Sequence, residues 1–329
     1  MSKQRRIVHV LDDLAMGGVT RALKNFEAPA LASLGRHESV DIREKPVRAH
    51  SENDVVVVHF TANWKKLGWL LDLRLRGGFS RIILIEHSYT QGYEASEVAP
   101  KRRFRQMLRL AYRLVDQVIA VSKTQREWML KHKLADAAKI IAIPQSRTCE
   151  DLLSIAPCKR DTGPLQIRAF GRFHKQKGFD LLVKAMARVP STVAQLKIAG
   201  TGPDVTYLET LARDLDHVEI CDPFSSPIAF ISDADLVAIP SRWEAFGLVG
   251  TEARAAGRPI LAARVDGLCD QLDDDGFAHE PGCVSSLVDA IYRSANANDI
   301  DARGLSSRRR AAKEFDQMIG RWHSVLSET

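Results

Sequence analysis

Two carboxylates stand eight positions apart in the segment EAFGLVGTE, residues 244–252. Between Glu244 and Glu252 lie only apolar residues, one threonine and the glycines Gly247 and Gly250. Glycine lets a ligand approach the backbone closely, and free N–H groups at the start of a helix bind anions. A carboxylate beside an anion is favourable only if it accepts hydrogen bonds from neutral hydroxyls. The segment therefore predicts a ligand with phosphate in its middle and hydroxyl-rich groups at both ends, the layout of a nucleotide sugar.

A second loop supplies cations that suit a diphosphate. In GRFHKQKGFDLL, residues 171–182, Arg172 and Lys177 flank a polar loop before Gly178 opens an amphipathic helix. Guanidinium and ammonium groups beside a helix start complement phosphate oxygens. The alternative is that both cations are only solvated.

The first half of the chain contributes two further candidates. Gly17 and Gly18 lie in LAMGGVTRAL, where their backbone N–H groups could reach a phosphate. His87 ends the strand-like run RIILIEH, where a side chain would point into a cleft. A core histidine with satisfied hydrogen bonds is the alternative.

The elements that position these residues alternate between buried strands and helices. ADLVAIPS, residues 234–241, is typical of a buried strand, and TEARAAG, residues 251–257, of a helix with Thr251 as its N-cap. Glu252 would then lie in the first helical turn, although it could serve there only to stabilise the helix start while Glu244 is solvated. Ligands of doubly wound sheets bind at such strand ends.

The same alternation runs along the whole chain and predicts two domains with parallel sheets. A chain of 329 residues also exceeds the usual size of one core. We expect a first Rossmann-like domain at 1–148, a linker at 149–164 and a second Rossmann-like domain at 165–311. Predicted helices of the first half include 20–34, 64–76 and 102–114. Predicted strands lie at 6–11, 54–60, 81–87, 117–122, 139–144, 165–171, 194–200, 217–220, 235–240 and 259–263.

Composition excludes several classes. The five cysteines form no CxxC pair, which disfavours a zinc site and a disulfide framework. No Walker A motif follows a strand, and GTGP at 200–203 lacks the third glycine of a dinucleotide fingerprint. Asp12 and Asp13 interrupt the apolar start too early for a signal peptide, and no uncharged stretch could span a bilayer. We therefore expect a soluble or peripheral protein.

Positive charge is concentrated in the first half. Residues 1–148 hold 26 Lys and Arg against 15 Asp and Glu, whereas the whole chain has a net charge of only +6. The segments 64–76, from Trp64 to Arg76, and 101–113, from Lys101 to Arg113, combine cations with apolar residues at helical spacing. Such helices fit an anionic membrane surface, although their apolar stripes could equally be core faces. No nucleic-acid recognition module is present.

Together these motifs resemble the retaining GT-B glycosyltransferases of family four, glycosyl transferases group 1. The resemblance rests on GGVTRAL, EHSY, VIAVS, GRFHKQKGFDLL, GTGP and SRWEAFGLVGTEARAAGRPILAARVDGL, which contains the E-x7-E signature. FDQMIGRWHSVL is similar to the terminal helix of the family, and the helix at about 312–327 would pack back on the first domain. The implied fold is α/β, with two Rossmann-like domains facing a central cleft.

The resemblance also implies roles. Arg172 and Lys177 would neutralise the donor diphosphate, Glu244 would hold the transferred sugar and Glu252 the ribose. His87 would lie near the anomeric centre. Catalytic residues would thus be His87, Glu244, Arg172 and Lys177, and the donor would be bound by Gly17, Gly18, Arg172, Lys177, Glu244, Phe246, Gly247, Leu248, Val249 and Glu252.

The implied reaction is a retaining, metal-independent hexosyl transfer without a cofactor. A UDP- or GDP-sugar is the expected donor, and a glycan or lipid-linked glycan the expected acceptor. Synthesis of a cell-surface polysaccharide or lipopolysaccharide would place the protein in the cytoplasm, peripherally at the inner face of the membrane. Nucleic acid is not an expected partner.

One loop departs from the family pattern. An Asn-Gly-Val-Asp turn often follows the last strand of the first domain, but here the chain reads IPQSRTCED, with Gln145 and no glycine. Two other functions therefore stay open: a non-catalytic nucleotide-sugar-binding GT-B protein, and another GT-B enzyme such as a nucleotide-sugar epimerase.

Overall fold

The computed structural model describes residues 5–12, 22–160, 162–224 and 226–328. The chain divides into two compact units. The first unit comprises Met1–Arg147 and Phe315–Thr329, and the second comprises Thr148–Glu314. Residues 149–164, the expected linker, therefore group with the second unit.

The first unit contains a six-stranded parallel sheet in the order β2-β1-β3-β4-β5-β6. Its central strand β3 consists of four valines without exposed surface, which the sequence predicts for a strand covered on both faces. The strands are β1 (Arg6–Leu11), β2 (Arg36–Asp41), β3 (Val55–Val58), β4 (Arg81–Glu86), β5 (Gln117–Ala120) and β6 (Ile140–Ala142). The helices are α1 (Pro29–Ala32), α2 (Leu67–Arg76), α3 (Gln91–Glu97), α4 (Lys101–Arg113) and α5 (Lys123–Lys131), with short 3-10 helices at Lys24–Glu27 and Ala137–Lys139.

The second unit contains a parallel sheet in the order β12-β11-β10-β7-β8-β9. Strands β8 and β9 follow β7 toward one edge of the sheet, and β11 and β12 follow β10 toward the other edge. The topological switch point therefore lies between the neighbours β7 and β10. The strands are β7 (Leu165–Arg172), β8 (Ala194–Thr201), β9 (Val218–Cys221), β10 (Leu236–Ile239), β11 (Ile260–Ala263) and β12 (Phe277–His279). The helices are α6 (Glu150–Leu153), α7 (Phe179–Met186), α8 (Val205–Ala212), α9 (Pro227–Ser232), α10 (Leu248–Ala255), α11 (Asp266–Cys269) and α12 (Val284–Ala295), with a 3-10 helix at Lys175–Lys177.

The last helix, α13 (Ile300–Ser327), begins in the second unit and ends in the first. Within the first unit its Trp322 ring lies 5.0 Å from the ring of Phe26. The backbone oxygen of Leu326 accepts a hydrogen bond from Arg5 at 2.8 Å. No helix in the described part of the chain is long and apolar enough to cross a membrane.

The predicted α/β class with two Rossmann-like domains is confirmed, but some local predictions are wrong. The helix predicted at 20–34 is interrupted within its described part, residues 22–34. Ala28 has a non-helical ψ of 135°, and Pro29 starts a new helix. Strand β2 escapes prediction because the polar run RHESVD at the sheet edge lacks an apolar pattern. Strand β12 has only three residues and is likewise too short to stand out.

Candidate functional site

Lys177 and Glu244 meet at the switch point of the second sheet. Lys177 follows β7, Glu244 follows β10, and the lysine Nζ donates a hydrogen bond to Glu244 Oε2 at 2.5 Å. Ser241 Oγ donates to the same oxygen at 3.3 Å. The backbone N–H of Glu244 donates to Asp266 Oδ2 at 3.2 Å, so the acidic residue is held from two sides. The sequence predicted both members of the ion pair but not their mutual contact.

The two loops that carry this ion pair are tied together. Gly178 has a φ of +68°, and a Cβ there would lie 2.1 Å from the backbone oxygen of Pro240. Arg242 donates its backbone N–H to the oxygen of Gln176 at 2.7 Å and binds both oxygens of Asp180 at 2.7 and 2.8 Å. Burial of Asp180 opposes its ionisation, but these hydrogen bonds outweigh it and lower the pKa of the carboxyl. The loops therefore form one rigid edge.

The helix after Glu244 starts earlier than predicted. Gly247, at a φ of +88°, is the N-cap of α10, whereas Thr251 is fully buried inside the helix. Glu252 consequently lies in the second turn rather than the first, and it is partly buried. The hydroxyl of Thr251 predicts an N-cap, but Gly247 with its positive φ ends the loop instead.

Backbone donors are available at this helix start. Within the described residues, no acceptor pairs with the N–H groups of Phe246, Gly247, Leu248 and Val249. These four N–H groups lie two to five positions after Glu244 in the chain. Unpaired N–H groups at a helix start form an anion site together with the helix dipole.

The remaining donor-site predictions differ in their setting. Arg172 ends β7 with an exposed side chain and makes no ion pair with any residue in the described ranges. Gly17 and Gly18 lie outside the described residues. The second unit thus brings together Lys177, Glu244 and the start of α10 around the end of β10.

His87 belongs to a file of hydrogen-bonded histidines in the first unit. Its Nε2 lies 3.3 Å from His59 Nδ1, His59 Nε2 lies 2.9 Å from His9 Nδ1, and His9 Nε2 lies 2.9 Å from His37 Nδ1. Gln145 Nε2 lies 2.9 Å from His87 Nδ1 at one end. Both ring nitrogens of His87 therefore have a hydrogen-bond partner. One of these partners is Gln145, which lies in the loop that departs from the family pattern.

One tautomer satisfies every contact in the file. At its far end His37 Nε2 lies 3.1 Å from the backbone oxygen of Leu31, which can only accept, so His37 must carry its proton on Nε2. His37 Nδ1 then accepts from His9, and the same reasoning places the proton of His9, His59 and His87 on Nε2. The amide of Gln145 donates to the last Nδ1. All four imidazoles are neutral in this arrangement.

Acid should destabilise the first unit through this file. Burial lowers the pKa of His9 to about 3 and that of His87 to about 4, and burial also lowers the pKa of His59. An unfolded histidine titrates near pH 6.5. Between about pH 6.5 and 4 the unfolded chain therefore binds protons that the folded chain does not, and each histidine costs about 1.4 kcal/mol of stability per pH unit as pH falls.

Urea unfolding at pH 7.5 and pH 5 measures this loss, followed by tryptophan fluorescence, since four of the five tryptophans lie in the first unit. Burial raises the pKa of Glu86, so this carboxyl group makes the stability increase as the pH falls, opposite to the effect of the histidines. Single variants therefore isolate the histidine contribution. His59→Gln should reduce the pH dependence, whereas the matched control His217→Gln in the second unit should not. Equal stability of the wild-type first unit at both pH values would contradict the prediction.

Sequence reasoning missed the residues that support the loop at 244–247, just before α10. Gln271 and Arg254 are buried polar residues with 2% exposure, and Asp266 adopts a φ of +44° that is rare for a residue with a side chain. Arg254 lies in a helix where the pattern TEARAAG predicts an apolar core face. A buried arginine needs a partner, and none is visible in the local sequence.

The second unit is similar in sequence to known glycosyltransferases. The model of the family Glycosyl transferases group 1 matches residues 165–296. Glycogen synthase of Mycobacterium tuberculosis is 30% identical over 186 residues, 51% of this chain and 42% of that protein. D-inositol 3-phosphate glycosyltransferase of Pseudarthrobacter chlorophenolicus is 28% identical over 279 residues, 77% of this chain and 64% of that protein. The chain thus spans less than two thirds of the length of these relatives.

A solved structure matches the fold of the whole chain. Anabaena Alr3699/HepE in complex with UDP superposes with a TM-score of 0.74 at 18% identity, covering 99% of this chain and 100% of that one. The family match covers the β7 and β10 loops that carry Lys177 and Glu244. Residues 165–296 therefore match the glycosyl transferases group 1 family, and the chain has the GT-B fold of known glycosyltransferases.

Proposed function

We propose that this protein is a retaining glycosyltransferase that moves a sugar from a nucleotide-diphosphate sugar to a hydroxyl acceptor. The observation that carries the proposal is the Lys177–Glu244 ion pair beside the unpaired N–H groups of α10. A cation, an acid and a helix start at one strand end offer separate partners for phosphate and for sugar. UDP bound to the structural relative HepE supports a nucleotide as ligand.

The diphosphate would be bound without a divalent metal. Lys177 would exchange its contact with Glu244 for a phosphate oxygen, and the exposed Arg172 would close over the same group. The N–H groups of residues 246–249 would donate to the other oxygens. Fixed cations and a helix dipole can carry out the charge neutralisation that a metal ion supplies in other enzymes.

The two acids would then bind the two hydroxyl-rich ends. Once Lys177 turns to phosphate, Glu244 becomes free to accept hydrogen bonds from the transferred sugar. Glu252, one helical turn beyond the N–H groups, would accept from the ribose hydroxyls. Both roles use ionised carboxylates as acceptors, which strengthens each hydrogen bond.

The proposed chemistry is attack on the face from which the nucleotide departs. The bond between the anomeric carbon and the β-phosphate oxygen breaks, and the acceptor oxygen forms a new bond on the same face. The departing phosphate oxygen takes the proton of the acceptor hydroxyl, so the configuration is retained and no protein base is needed. No role in this step is proposed for His87, because both of its ring nitrogens already have partners in the first unit.

Transfer assays with UDP-, GDP- and ADP-sugars test this function. Thermal shift first identifies the nucleotide, because a ligand that binds only the folded state raises the melting temperature. The anomeric configuration of the product then decides between retention and inversion. Binding without any turnover would favour the non-catalytic protein, and conversion of the donor sugar without transfer would favour an epimerase.

A membrane-bound acceptor is the second part of the proposal, with the protein acting from the cytoplasm. Leu71 and Leu75 in α2 and Leu110 in α4 are exposed, and the exposed fraction of Leu75 reaches 71%. Trp64, just before α2, is 45% exposed. The core faces of α2 are instead Leu70 and Leu73. Of the residues at helical spacing in 64–76, Trp64, Leu71 and Leu75 face outward, whereas Leu67 packs against the core. The apolar stripe predicted for 101–113 is a core face, because Met107, Leu108 and Ala111 are buried.

Cations flank this apolar surface. Lys65, Arg102 and Arg103 are exposed, and the Arg103 guanidinium lies 5.6 Å from the centre of the Trp64 ring. Trp69 does not share this surface, because its ring packs against Phe60 at 5.5 Å. Exposed leucines and a tryptophan among cations favour an anionic lipid surface, as needed for a lipid-linked polysaccharide or lipopolysaccharide acceptor.

Vesicle binding should therefore depend on these charges. Each cation near an anionic surface contributes about 1 kcal/mol, so Lys65→Gln, Arg102→Gln and Arg103→Gln together should lower the partition constant about a hundredfold at low salt. Co-sedimentation with vesicles of anionic and of neutral lipid measures it. The matched control replaces three exposed cations of the second unit, Arg188, Arg213 and Lys313, with glutamine. Equal binding by both triple variants would exclude this surface.

A further inference from the structure

The side-chain amide of Gln271 contacts the loop at 244–247 that precedes α10. Its Nε2 donates to the backbone oxygens of Phe246 at 2.6 Å and of Gly247 at 3.0 Å. Gln271 is 2% exposed, and it lies beyond β11 in sequence, 24 residues from Gly247. One side chain thus holds two consecutive peptide groups of the loop.

Fixing these carbonyls also fixes N–H directions. In a trans peptide the C=O and the following N–H point in opposite directions. The Phe246 carbonyl shares its peptide with the N–H of Gly247, and the Gly247 carbonyl shares its peptide with the N–H of Leu248. Both N–H groups must therefore point away from Gln271, and neither has an acceptor in the described part of the chain.

Arg254 sets the orientation of the amide. Its Nη2 donates to Gln271 Oε1 at 3.0 Å, which leaves Nε2 to face the loop carbonyls. Glu314 holds the guanidinium in turn, with contacts of 2.5 and 2.9 Å. A Cβ at Gly250 would lie 2.4 Å from Gln271 Oε1, so α10 needs a glycine where the amide passes.

We propose that Gln271, oriented by Arg254, is a positioning residue that aims the N–H groups of Gly247 and Leu248 at the donor diphosphate. The inference rests on the proposed donor site and adds the device that orders its backbone donors before the ligand arrives. A preorganised donor costs no rearrangement on binding, which raises affinity for the group it faces.

UDP affinity of the full chain tests the proposal. Gln271→Met keeps the volume of the side chain but removes the amide, and UDP binding measured by calorimetry should weaken about tenfold. Gln271→Glu preserves the contact with Arg254 but places a carboxylate against two carbonyls, so it should weaken UDP binding at least as much. In the wild type, UDP should shift the NMR signals of the Gly247 and Leu248 amides, and these shifts should be smaller in both variants.

The first unit provides a matched control. Gln125 is 1% exposed, and its Nε2 also donates to two backbone oxygens, those of Glu86 at 3.0 Å and Tyr89 at 2.8 Å. Gln125→Met should lower stability comparably without changing UDP affinity. Wild-type protein that binds none of UDP, GDP and ADP would refute the proposed function. If the wild type binds UDP and both Gln271 variants match it within twofold, the positioning role is wrong while the function stands.

Discussion

Glu244→Gln is expected to lose most of the sugar-transfer rate while binding the nucleoside diphosphate no more weakly than the wild type. The carboxylate would bind the transferred sugar, which is absent from the product nucleotide. A hydrogen bond to a charged group contributes about 1.5–3 kcal/mol, which corresponds to about a 10- to 150-fold lower kcat. Affinity is spared because the variant also removes the partner that holds Lys177 at 2.5 Å in the free protein.

Glu252→Gln is the comparison for this prediction, because its proposed partner is the ribose of the nucleotide. It should raise the dissociation constant of the nucleotide and the KM of the donor together, with a smaller effect on kcat. Steady-state kinetics and calorimetry on the two variants measure the difference. If both substitutions weakened nucleotide binding to the same extent, the division between sugar and ribose would be wrong.

The acids and cations of the candidate site can be identified from the sequence because their chemistry is local, and their roles stay predictions. Lys177 and Glu244 follow β7 and β10, Arg172 ends β7, and Glu252 lies in α10. The apolar runs that precede these residues identify parallel strands. The predicted helix start at Thr251 is wrong, because Gly247 adopts a left-handed conformation that no local pattern specifies.

Contacts between distant segments could not be predicted in this way. Gln271 reaches Phe246 across 25 positions and Arg254 reaches Glu314 across 60, and neither spacing belongs to a helix or a strand. The histidine file draws on β1, β2, the end of β3 and the end of β4, so it forms only once the sheet order is known. Predicting such networks requires the strand order, which periodicity alone leaves open.

Replacing Lys177 and Arg172 should have the largest effect on nucleotide binding. Lys177→Met deletes a charge-assisted contact, and we expect the affinity for UDP to fall by about 1.5–3 kcal/mol, or about 10- to 150-fold. Arg172→Met should cost about tenfold, since its exposed side chain must first be ordered over the ligand. The double variant should bind UDP at least a hundredfold more weakly if the two cations act on separate oxygens.

Two further variants separate phosphate binding from loss of positive charge. Lys197→Met removes a half-buried lysine that pairs with Glu219 in the same unit, so it should leave UDP affinity unchanged. The double variant Lys177→Met, Glu244→Gln tests whether Lys177 exchanges its contact with Glu244 for one with phosphate. Replacing Glu244 should not restore the affinity for UDP, because the Lys177 ammonium that would bind the phosphate is absent. Calorimetry at low and at moderate salt gives all these constants. If Lys177→Met bound UDP as tightly as the wild type, Lys177 would not bind the diphosphate, and Glu244 would remain its only proposed partner.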